Sequence, residues 1–321
     1  MTTSLNPKSQ PALATAPTFD AFRIAALVEA LLGLDVVDAR FIPRGFANEN
    51  WHVRTVDGDV LVKVGRPGAS ASKWRASARA LDLAQASGVS CPVLLHGEAS
   101  CPALGGRVLR IQQWIDGVAP DSLEGEASVR FWTALGRAVR SLHDIPFDHF
   151  SSRLDDSAPD YPTWSGYLGY RIPQIEARCA QASILSAGER RRLWDRVLAE
   201  ARALDGVVTP SFVHRDLHLD NLLATPDGGL AGLLDFDMVE PWDPVGDWFK
   251  LTHWCFAGHD DRRRCFEAGY GEPGEQIPNF ETRRAIIDVI EGLNLAANEG
   301  LSENAERLAW ALAIVRDAFD E

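Results

Sequence analysis

Cysteine is scarce in this sequence, and none of the five cysteines forms a CxxC pair with another. An odd count without paired spacing argues against a disulfide framework and fits a reducing cytoplasm. Long apolar runs are also missing, since the longest, such as residues 308–315, fall far short of the roughly 20 residues of a membrane span. Residues 1–20 lack a basic start followed by an apolar core, so no signal peptide is expected. These absences predict a cytoplasmic protein without membrane segments.

Positive charge is in short supply as well. The chain has 32 lysine and arginine residues against 45 aspartate and glutamate residues, a formal net charge of −13. A nucleic-acid binder needs a basic face against the phosphate backbone, so this balance argues against one. Residues 1–204 hold 22 acids and 23 bases, whereas residues 205–321 hold 23 acids and 9 bases. All of the acidic excess therefore lies in the last third of the chain.

The rest of the composition is that of a globular protein, with 46% hydrophobic and 24% charged residues in a chain of 321. This length is compatible with about two domains. Residues 1–17 are rich in Pro, Ser, Thr and Ala and are predicted to form a disordered tail. A first helix is predicted to follow Thr18 or Asp20 and to end near Leu32, because Gly33 comes next.

Residues 18–115 are predicted to form a β-rich N-terminal lobe, and residues 116–321 a mostly helical C-terminal lobe. Turn signals and alternating apolar residues predict strands at 37–44, 51–56, 59–64, 93–98 and 107–113, and a helix at 72–87. In the second lobe they predict helices at 124–143, 186–204 and from about 246 on, and strands at 221–225 and 230–235. The predicted fold class is α+β, and a cleft between two such lobes is a natural ligand site.

The most informative motif lies in the acidic last third of the chain. H-R-D at 214–216 is followed after four residues by Asn221, and a predicted hairpin then leads to D-F-D at 235–237. This order matches the H-R-D-x-x-x-x-N and D-F-x layout of kinase catalytic loops. Phosphoryl transfer needs a carboxylate at the attacking hydroxyl, and Asp216 suits that role. Asn221 and Asp235 supply the hard oxygens that Mg²⁺ prefers.

Two further residues of the motif are expected to support these three. His214 opens the catalytic loop. Asp237 follows Asp235 by two positions, so in a strand its side chain would point to the same face. In that position Asp237 either binds a second metal ion or contacts the direct metal ligands without binding the metal itself.

This segment resembles the aminoglycoside phosphotransferase and choline kinase-like family of small-molecule kinases. The resemblance covers residues 35–321 and is strongest at 212–252. LGRAVRSLHDIPF (135–147) and WDPVGDWFKL (242–251) are similar to two further segments of that family. The resemblance implies a bilobal protein kinase-like fold, and it implies that Asp247 holds the catalytic loop by accepting backbone hydrogen bonds.

The resemblance also implies an ATP or GTP site in the N-terminal lobe. The loop beginning at Gly45 and including Asn48 would cover the phosphates, although it is not a G-x-G-x-x-G. Lys63, in the strand VLVKV, is placed to pair with the α- and β-phosphates. The backbone groups of Gln113 and Ile115 would bind the base, and backbone recognition leaves ATP and GTP undistinguished.

One feature departs from the family. Kinases of this type pair the strand lysine with a glutamate on the following helix, but no Asp or Glu lies between Lys63 and Leu81. By register, Ser77 or Arg79 occupies the expected place. The sequence leaves open whether Lys63 pairs with another acid or is held differently. The candidate acids are Asp82, Glu49 and Glu98.

The acidic excess suggests a positively charged acceptor, because an acidic wall raises the local concentration of a cation. The acids that the motif leaves unused are Glu240, Asp260, Asp261, Glu267, Glu272, Asp288, Glu291 and Glu299. The other interpretation is that surface acids only keep the protein soluble. The function that we predict is phosphorylation of a hydroxyl of a small cationic molecule, an aminoglycoside or other basic antibiotic, which would confer resistance.

Three alternatives stay open. The first is a metabolic kinase of an amino sugar, homoserine or an amino alcohol, and the second is a pseudokinase that binds nucleotide as a scaffold. The third is a zinc-binding module, because His253, Cys255, His259 and Cys265 are closely spaced. The sequence does not indicate the oligomeric state.

Overall fold

The computed structural model describes residues 16–43, 48–302 and 304–319. The predicted disordered tail at 1–17 therefore lies outside the described residues, apart from its last two positions. Gly45 and the start of the predicted phosphate loop also lie outside them. Across the described ranges, none of the helices has both the length and the hydropathy that crossing a membrane requires.

The N-terminal part is a five-stranded antiparallel sheet. Its strands are β1 (Val36–Ile42), β2 (Asn48–Thr55), β3 (Val60–Gly65), β4 (Leu94–Cys101) and β5 (Arg107–Gln113), in the order β1-β2-β3-β5-β4. Helix α1 (Ala21–Leu32) precedes the sheet; the Asp20 side chain caps its start, and Gly33, at a φ of 68°, ends it. The five predicted strands and the first helix are confirmed, with shifts of a few residues at their ends.

The two faces of this sheet have different surroundings because side chains alternate along a strand. Val60, Val62 and Val64 of β3 are buried in an apolar cluster with Ile24 of α1. Lys63 lies on the other face of the sheet. In the strand register it pairs with Arg110 of β5 and Asn50 of β2. The polar face of the sheet is thus the face turned away from the apolar cluster with α1.

Most of the remaining chain is helical, as predicted. The helices are α2 (Ala71–Ala86), α3 (Gly125–His143), α4 (Trp164–Gln181), α5 (Ala187–Ala203), α6 (Gly246–Lys250), α7 (Asp260–Tyr270), α8 (Pro273–Gln276), α9 (Phe280–Leu301) and α10 (Ala305–Asp317). Helix α4 has no counterpart among the predicted elements. It carries Pro173 in its interior, where proline ordinarily ends or kinks a helix. The side chain of Thr163 caps the start of the helix. Tyr167 and Ile172 are among its buried side chains.

Helix α2 packs with the helical part rather than with the core of the sheet. Its buried residues Ala76, Ala80, Leu81 and Ala84 belong to the large apolar cluster that also contains Trp132 of α3. Small side chains at this spacing form one narrow apolar stripe. Through this stripe, α2 connects the β-rich part to the helical part.

Short strands carry the segment with the kinase-like motif. They are β8 (Ser211–Val213), β9 (Leu222–Ala224), β10 (Leu230–Leu233) and β11 (Glu240–Trp242), and β8 pairs with β11 and β9 with β10. The turn between β9 and β10 needs glycine at position 228, because its φ is +90° and a Cβ there would lie 2.1 Å from the carbonyl oxygen of Ala127. A further pair of two-residue strands is formed by β6 (Phe150–Ser151) and β7 (Asp160–Tyr161).

Candidate active site

Asp247 holds the loop that contains the H-R-D motif. Its carboxylate accepts the backbone N–H of His214 at 2.9 Å and that of Arg215 at 2.5 Å, and lies 3.0 Å from Nε2 of His143. Arg215 has a φ of 65°, in the left-handed region that is strained for a residue other than glycine. The two backbone hydrogen bonds to one buried carboxylate stabilise this turn, which is the role that the family resemblance implies for Asp247.

The loop presents Asp216 between three polar side chains. Asn221 donates from Nδ2 to Asp216 Oδ2 at 2.8 Å, Lys250 donates from Nζ to Oδ1, and Nε2 of His218 lies 3.5 Å from Oδ1. Burial by itself raises the pKa of Asp216, but the hydrogen bond from His218 and the Lys250 ammonium outweigh it and hold that pKa well below its usual range. Asp216 is therefore a carboxylate, able to accept a hydrogen bond from a hydroxyl.

Lys63 reaches across the cleft to the D-F-D segment. Its Nζ lies 3.1 Å from Oδ1 of Asp235, and its side chain is nearly buried. Asp235 lies two residues after the end of β10 at a φ of 61°, and its side chain is 41% exposed. This geometry brings the predicted phosphate-binding lysine and one predicted metal ligand together.

Asp237 differs from the sequence-based expectation. Residues 236–238 form a 3₁₀ turn rather than a strand, so Asp237 does not share the orientation of Asp235. Its carboxylate accepts from Arg110 at 2.5 and 2.9 Å, from Ser77 Oγ at 2.7 Å and from Asn48 Nδ2 at 3.4 Å. Both oxygens are thereby bound by protein groups, which favours the second of the two expected roles, in which Asp237 does not bind the metal itself.

The same contacts answer the question of the missing helix glutamate: Lys63 is held differently, by Asp235. Asp82 is exposed, Glu49 is bound by Arg107 and Thr18, and Glu98 pairs with His96. Ser77 occupies the register position that the sequence indicated. It donates to Asp237 and accepts from Arg110 at 2.5 Å.

The segment expected to bind the base begins at the end of β5. Gln113 donates its backbone N–H to the carbonyl of Val93 at 2.9 Å. Trp114 follows it and stacks on the ring of His52, with centroids 4.0 Å apart. Ile115 packs against Gly232, where a Cβ would lie 2.7 Å from its Cδ1. A larger residue at 232 would therefore push the connector outward.

The predicted Mg²⁺ ligands are compatible with a hard cation. Asn221 uses its Nδ2 as a donor to Asp216, which leaves its Oδ1 as the free ligand atom. Asp235 uses Oδ1 for Lys63, and within the described ranges no hydrogen bond is made to its Oδ2. No cluster of three or more His, Cys, Asp or Glu that could hold a metal occurs among residues 16–43, 48–302 and 304–319. The site thus suits Mg²⁺ held by one carboxylate, one amide and substrate phosphates, rather than a closed protein cage.

Most of the acids expected to form an acidic wall have basic partners. Five of the eight acids singled out in the sequence form ion pairs: Glu240 and Glu291 with Arg171 and Arg215, Asp288 with His253 and Arg284, Glu267 with Arg263, and Glu299 with Arg307. The two arginines that share Glu240 and Glu291 also lie over the ring of Trp242. Of the expected acidic wall, Asp260, Asp261 and Glu272 are the acids for which the described residues show no ion pair. Fewer unpaired carboxylates attract a cation less strongly, so the argument for a cationic acceptor is weaker.

The zinc alternative fails on the same ground. His253 binds Asp288 at 3.1 Å, and the buried Cys255 donates its thiol to the carbonyl of Leu217 at 3.8 Å. Neither side chain is free to join His259 and Cys265 around a metal ion. Burial raises the pKa of Cys255 to about 12, so it remains a neutral thiol.

Lys250 is the site residue that motif reasoning missed. It lies one helical turn after Asp247, on α6, so both side chains can reach the catalytic loop. The composition carried a signal, since only four of the 32 basic residues are lysines. Two of those four, Lys63 and Lys250, contact the carboxylates of this cleft.

The chain is similar to known proteins in both sequence and fold. A family model described as "Phosphotransferase enzyme family" matches residues 38–285. A homoserine kinase of Acidiphilium cryptum (strain JF-5) is 26% identical over 220 residues, which is 66% of this chain and 63% of that protein. The match thus spans slightly less than two thirds of the relative's length.

Two solved structures share the fold. One is a protein of Haemophilus somnus 129PT, provisionally assigned as fructosamine-3-kinase, with a TM-score of 0.68, 14% identity and coverage of 92% of this chain and 96% of the other. The second is a thermostable mutant of aminoglycoside phosphotransferase APH(4)-Ia in a ternary complex with AMP-PNP and hygromycin B. Its TM-score is 0.68 at 16% identity, with 93% of this chain and 99% of the other covered. At these identities the likeness shows the fold, a protein kinase-like α+β fold.

Proposed function

The chain belongs to the phosphotransferase enzyme family, and from this we propose that it transfers the γ-phosphoryl group of ATP or GTP to a hydroxyl of a small molecule. The observation that carries the proposal is the convergence of Lys63, Asp216, Asn221 and Asp235 on one cleft. Lys63 and Asp235 meet at 3.1 Å, and Asn221 and Asp216 at 2.8 Å. These are residue types that phosphoryl transfer uses, and the two contacts support the proposal.

Each residue has a role in the proposed reaction. Lys63 pairs with the α- and β-phosphates, and the connector at Gln113 and Ile115 holds the base. Asp216 orients the acceptor hydroxyl and takes its proton as the new O–P bond forms. Asn221 and Asp235 would hold Mg²⁺, which neutralises charge on the β- and γ-phosphates when bound.

For the acceptor, we propose a small hydroxylated amino acid or amino alcohol, with homoserine as the first compound to test. The homoserine kinase of A. cryptum is a curated relative, and its match covers 66% of this chain. The pairing of Glu240, Glu291 and Asp288 with basic side chains removes the main argument for a large polycationic acceptor.

A second candidate is an aminoglycoside or another basic antibiotic, whose phosphorylation would confer resistance. It is favoured by the exposed Asp260, Asp261 and Glu272, for which no ion pair is seen in the described part of the chain. These acids offer a cation a solvated surface rather than an enclosed site, so we rank this candidate second.

The test is a screen for acceptor-dependent ADP release with Mg·ATP. The acceptors are homoserine, threonine, choline, glucosamine and hygromycin B, and the product is identified by mass. Asp216→Asn should lower turnover of the accepted compound by about 10³-fold, because the proton acceptor is lost while the shape is kept. ATP should still bind to this variant, as measured by calorimetry.

The matched control is Asp195→Asn, which removes an exposed carboxylate of α5 outside the cleft. It should leave turnover unchanged. Full activity of Asp216→Asn would refute the assignment of the base. ATP binding without phosphorylation of any acceptor would instead indicate the nucleotide-binding pseudokinase.

A further inference from the structure

The Lys250 side chain makes a contact that the proposed function does not yet explain. Its ammonium donates to Oδ1 of Asp216, while Asn221 occupies Oδ2 of the same carboxylate. An acceptor hydroxyl must hydrogen-bond to this carboxylate, so Lys250 lies within two hydrogen bonds of the oxygen that attacks phosphorus. No other described lysine or arginine makes an ion pair with Asp216.

Lys250 differs from the cations that only stabilise the fold. Arg171 and Arg215 are almost completely buried, and each bridges two carboxylates. Lys250 instead keeps 30% of its side chain exposed and has one carboxylate partner. An ammonium has three donors and a flexible stem, so it can keep one hydrogen bond while forming another, which a bidentate guanidinium does less readily.

The identity of the residue supports this distinction. The chain uses arginine for 28 of its 32 basic residues, including Arg110, Arg171 and Arg215 in buried ion pairs. The lysine that contacts the proposed base, Asp216, is therefore an exception to the preference of this sequence for arginine. The other cleft lysine, Lys63, is the residue assigned to the phosphates of the nucleotide.

We propose that Lys250 is a second catalytic cation, which holds Asp216 in place and donates a hydrogen bond to the γ-phosphoryl group during transfer. This rests on the proposed function. In the step, the acceptor oxygen forms a bond to the γ-phosphorus, and the bond from that phosphorus to the β–γ bridging oxygen breaks. The electron pair stays on the bridging oxygen of ADP, and the hydroxyl proton passes to Asp216. Lys250 neither gains nor loses a proton; it stabilises charge on the equatorial oxygens.

The first test is nucleotide binding, which does not depend on turnover. A cation directed at the γ-phosphoryl group should distinguish AMP-PNP from ADP. Lys250→Met should weaken binding of Mg·AMP-PNP by about 10-fold and binding of Mg·ADP by less than about twofold, measured by calorimetry on the full chain. Lys73→Met, at an exposed position on α2, is the matched control and should change neither affinity.

The second test is kinetic. With the acceptor that the wild type phosphorylates, Lys250→Met should lower kcat by about 100-fold and change the KM of the acceptor by less than about threefold. Lys250→Arg should recover part of the kcat, because it restores the charge but not the compact ammonium. Lys250→Gln replaces the methionine variant if thermal unfolding shows that Lys250→Met is not folded.

Several outcomes would overturn the proposal. Equal loss of AMP-PNP and ADP binding would make Lys250 a structural residue, and a raised acceptor KM with normal kcat would make it an acceptor-binding residue. Unchanged affinities and rates would assign it no role. If the wild type phosphorylates no acceptor, the proposed function fails, whereas the ratio of AMP-PNP to ADP affinity still decides where Lys250 points.

Discussion

Arg110 takes part in the contacts found where kinases of this type are expected to pair the strand lysine with a helix glutamate. It is almost completely buried on β5, beside Lys63 in the register, and makes two hydrogen bonds to Asp237. A charged hydrogen-bonded pair of this kind stabilises little compared with an apolar pair, but losing one partner leaves a charge without compensation. The hydrogen bond from Arg110 to Ser77 thus joins the sheet to α2, where kinases of this type are expected to use a lysine–glutamate pair.

Arg110→Met should lower the free energy of unfolding by about 3 kcal/mol, because Asp237 would keep its charge without the guanidinium. Urea unfolding measures this. The double variant Arg110→Met with Asp237→Asn should lose clearly less than the sum of the two single variants. Arg40→Met, at an exposed ion pair on β1, is the control and should cost less than about 1 kcal/mol. Additive losses in the double variant would contradict the assigned pairing.

At the scale of elements, helix α2 determines the position of the D-F-D segment relative to the sheet. Its apolar stripe packs into the helical core, and its polar side carries Ser77 to Asp237. Ion pairs fasten its exposed side to the segment between β6 and β7, with Arg75 on Asp155 at 2.9 Å and Arg79 on Asp156 at 3.3 Å. The apolar packing of α2 determines its position. The two ion pairs add little to stability, because their arginine side chains are exposed to solvent.

Leu81→Ala should therefore lower the free energy of unfolding by about 3 kcal/mol, since Leu81 is only 2% exposed and truncation leaves a cavity. Chemical denaturation measures the change. Leu95→Ala, at a position of β4 that is 43% exposed, removes the same atoms and should cost less than about 1 kcal/mol. Equal losses at the two positions would mean that α2 is not anchored through its apolar stripe.

At the scale of the whole molecule, polar contacts across the cleft add to the apolar stripe of α2 in joining two apolar clusters. One cluster lies between α1 and the sheet, and the other fills the helical part together with α2. Lys63 with Asp235 and Arg110 with Asp237 span the cleft between them. A nucleotide that binds both sides should add to these contacts and stabilise the folded chain as a unit.

Mg·ATP at about 100 times its dissociation constant should therefore raise the free energy of unfolding by about 2.7 kcal/mol, seen as a higher melting temperature. Chelation of Mg²⁺ should remove most of this increase, because the phosphates then lose the cation that we propose Asn221 and Asp235 to hold. Lys63→Met should abolish it, and Lys73→Met should retain it. An increase that survives both chelation and Lys63→Met would place the nucleotide elsewhere.

Local sequence determined those features that depend on neighbouring residues. The capping box at Ser186 and Glu189, the cap at Asp20 and the glycine stop at Gly33 set helix ends by hydrogen bonds within one turn. The contact of Asp216 with Asn221 is likewise local, because the two residues lie only five positions apart in one loop.

The tertiary structure alone decided which distant charges meet. Arg110 and Asp237 are 127 residues apart, and no local pattern indicates that they pair. The net charge of −13 is fixed by composition, yet only the packing of α4, α9 and the catalytic loop shows that Arg171 and Arg215 neutralise Glu240 and Glu291. Sequence fixes which charges exist and where helices end, because those depend on adjacent residues; folding decides which charges are compensated, because that depends on residues brought together from far apart in the chain.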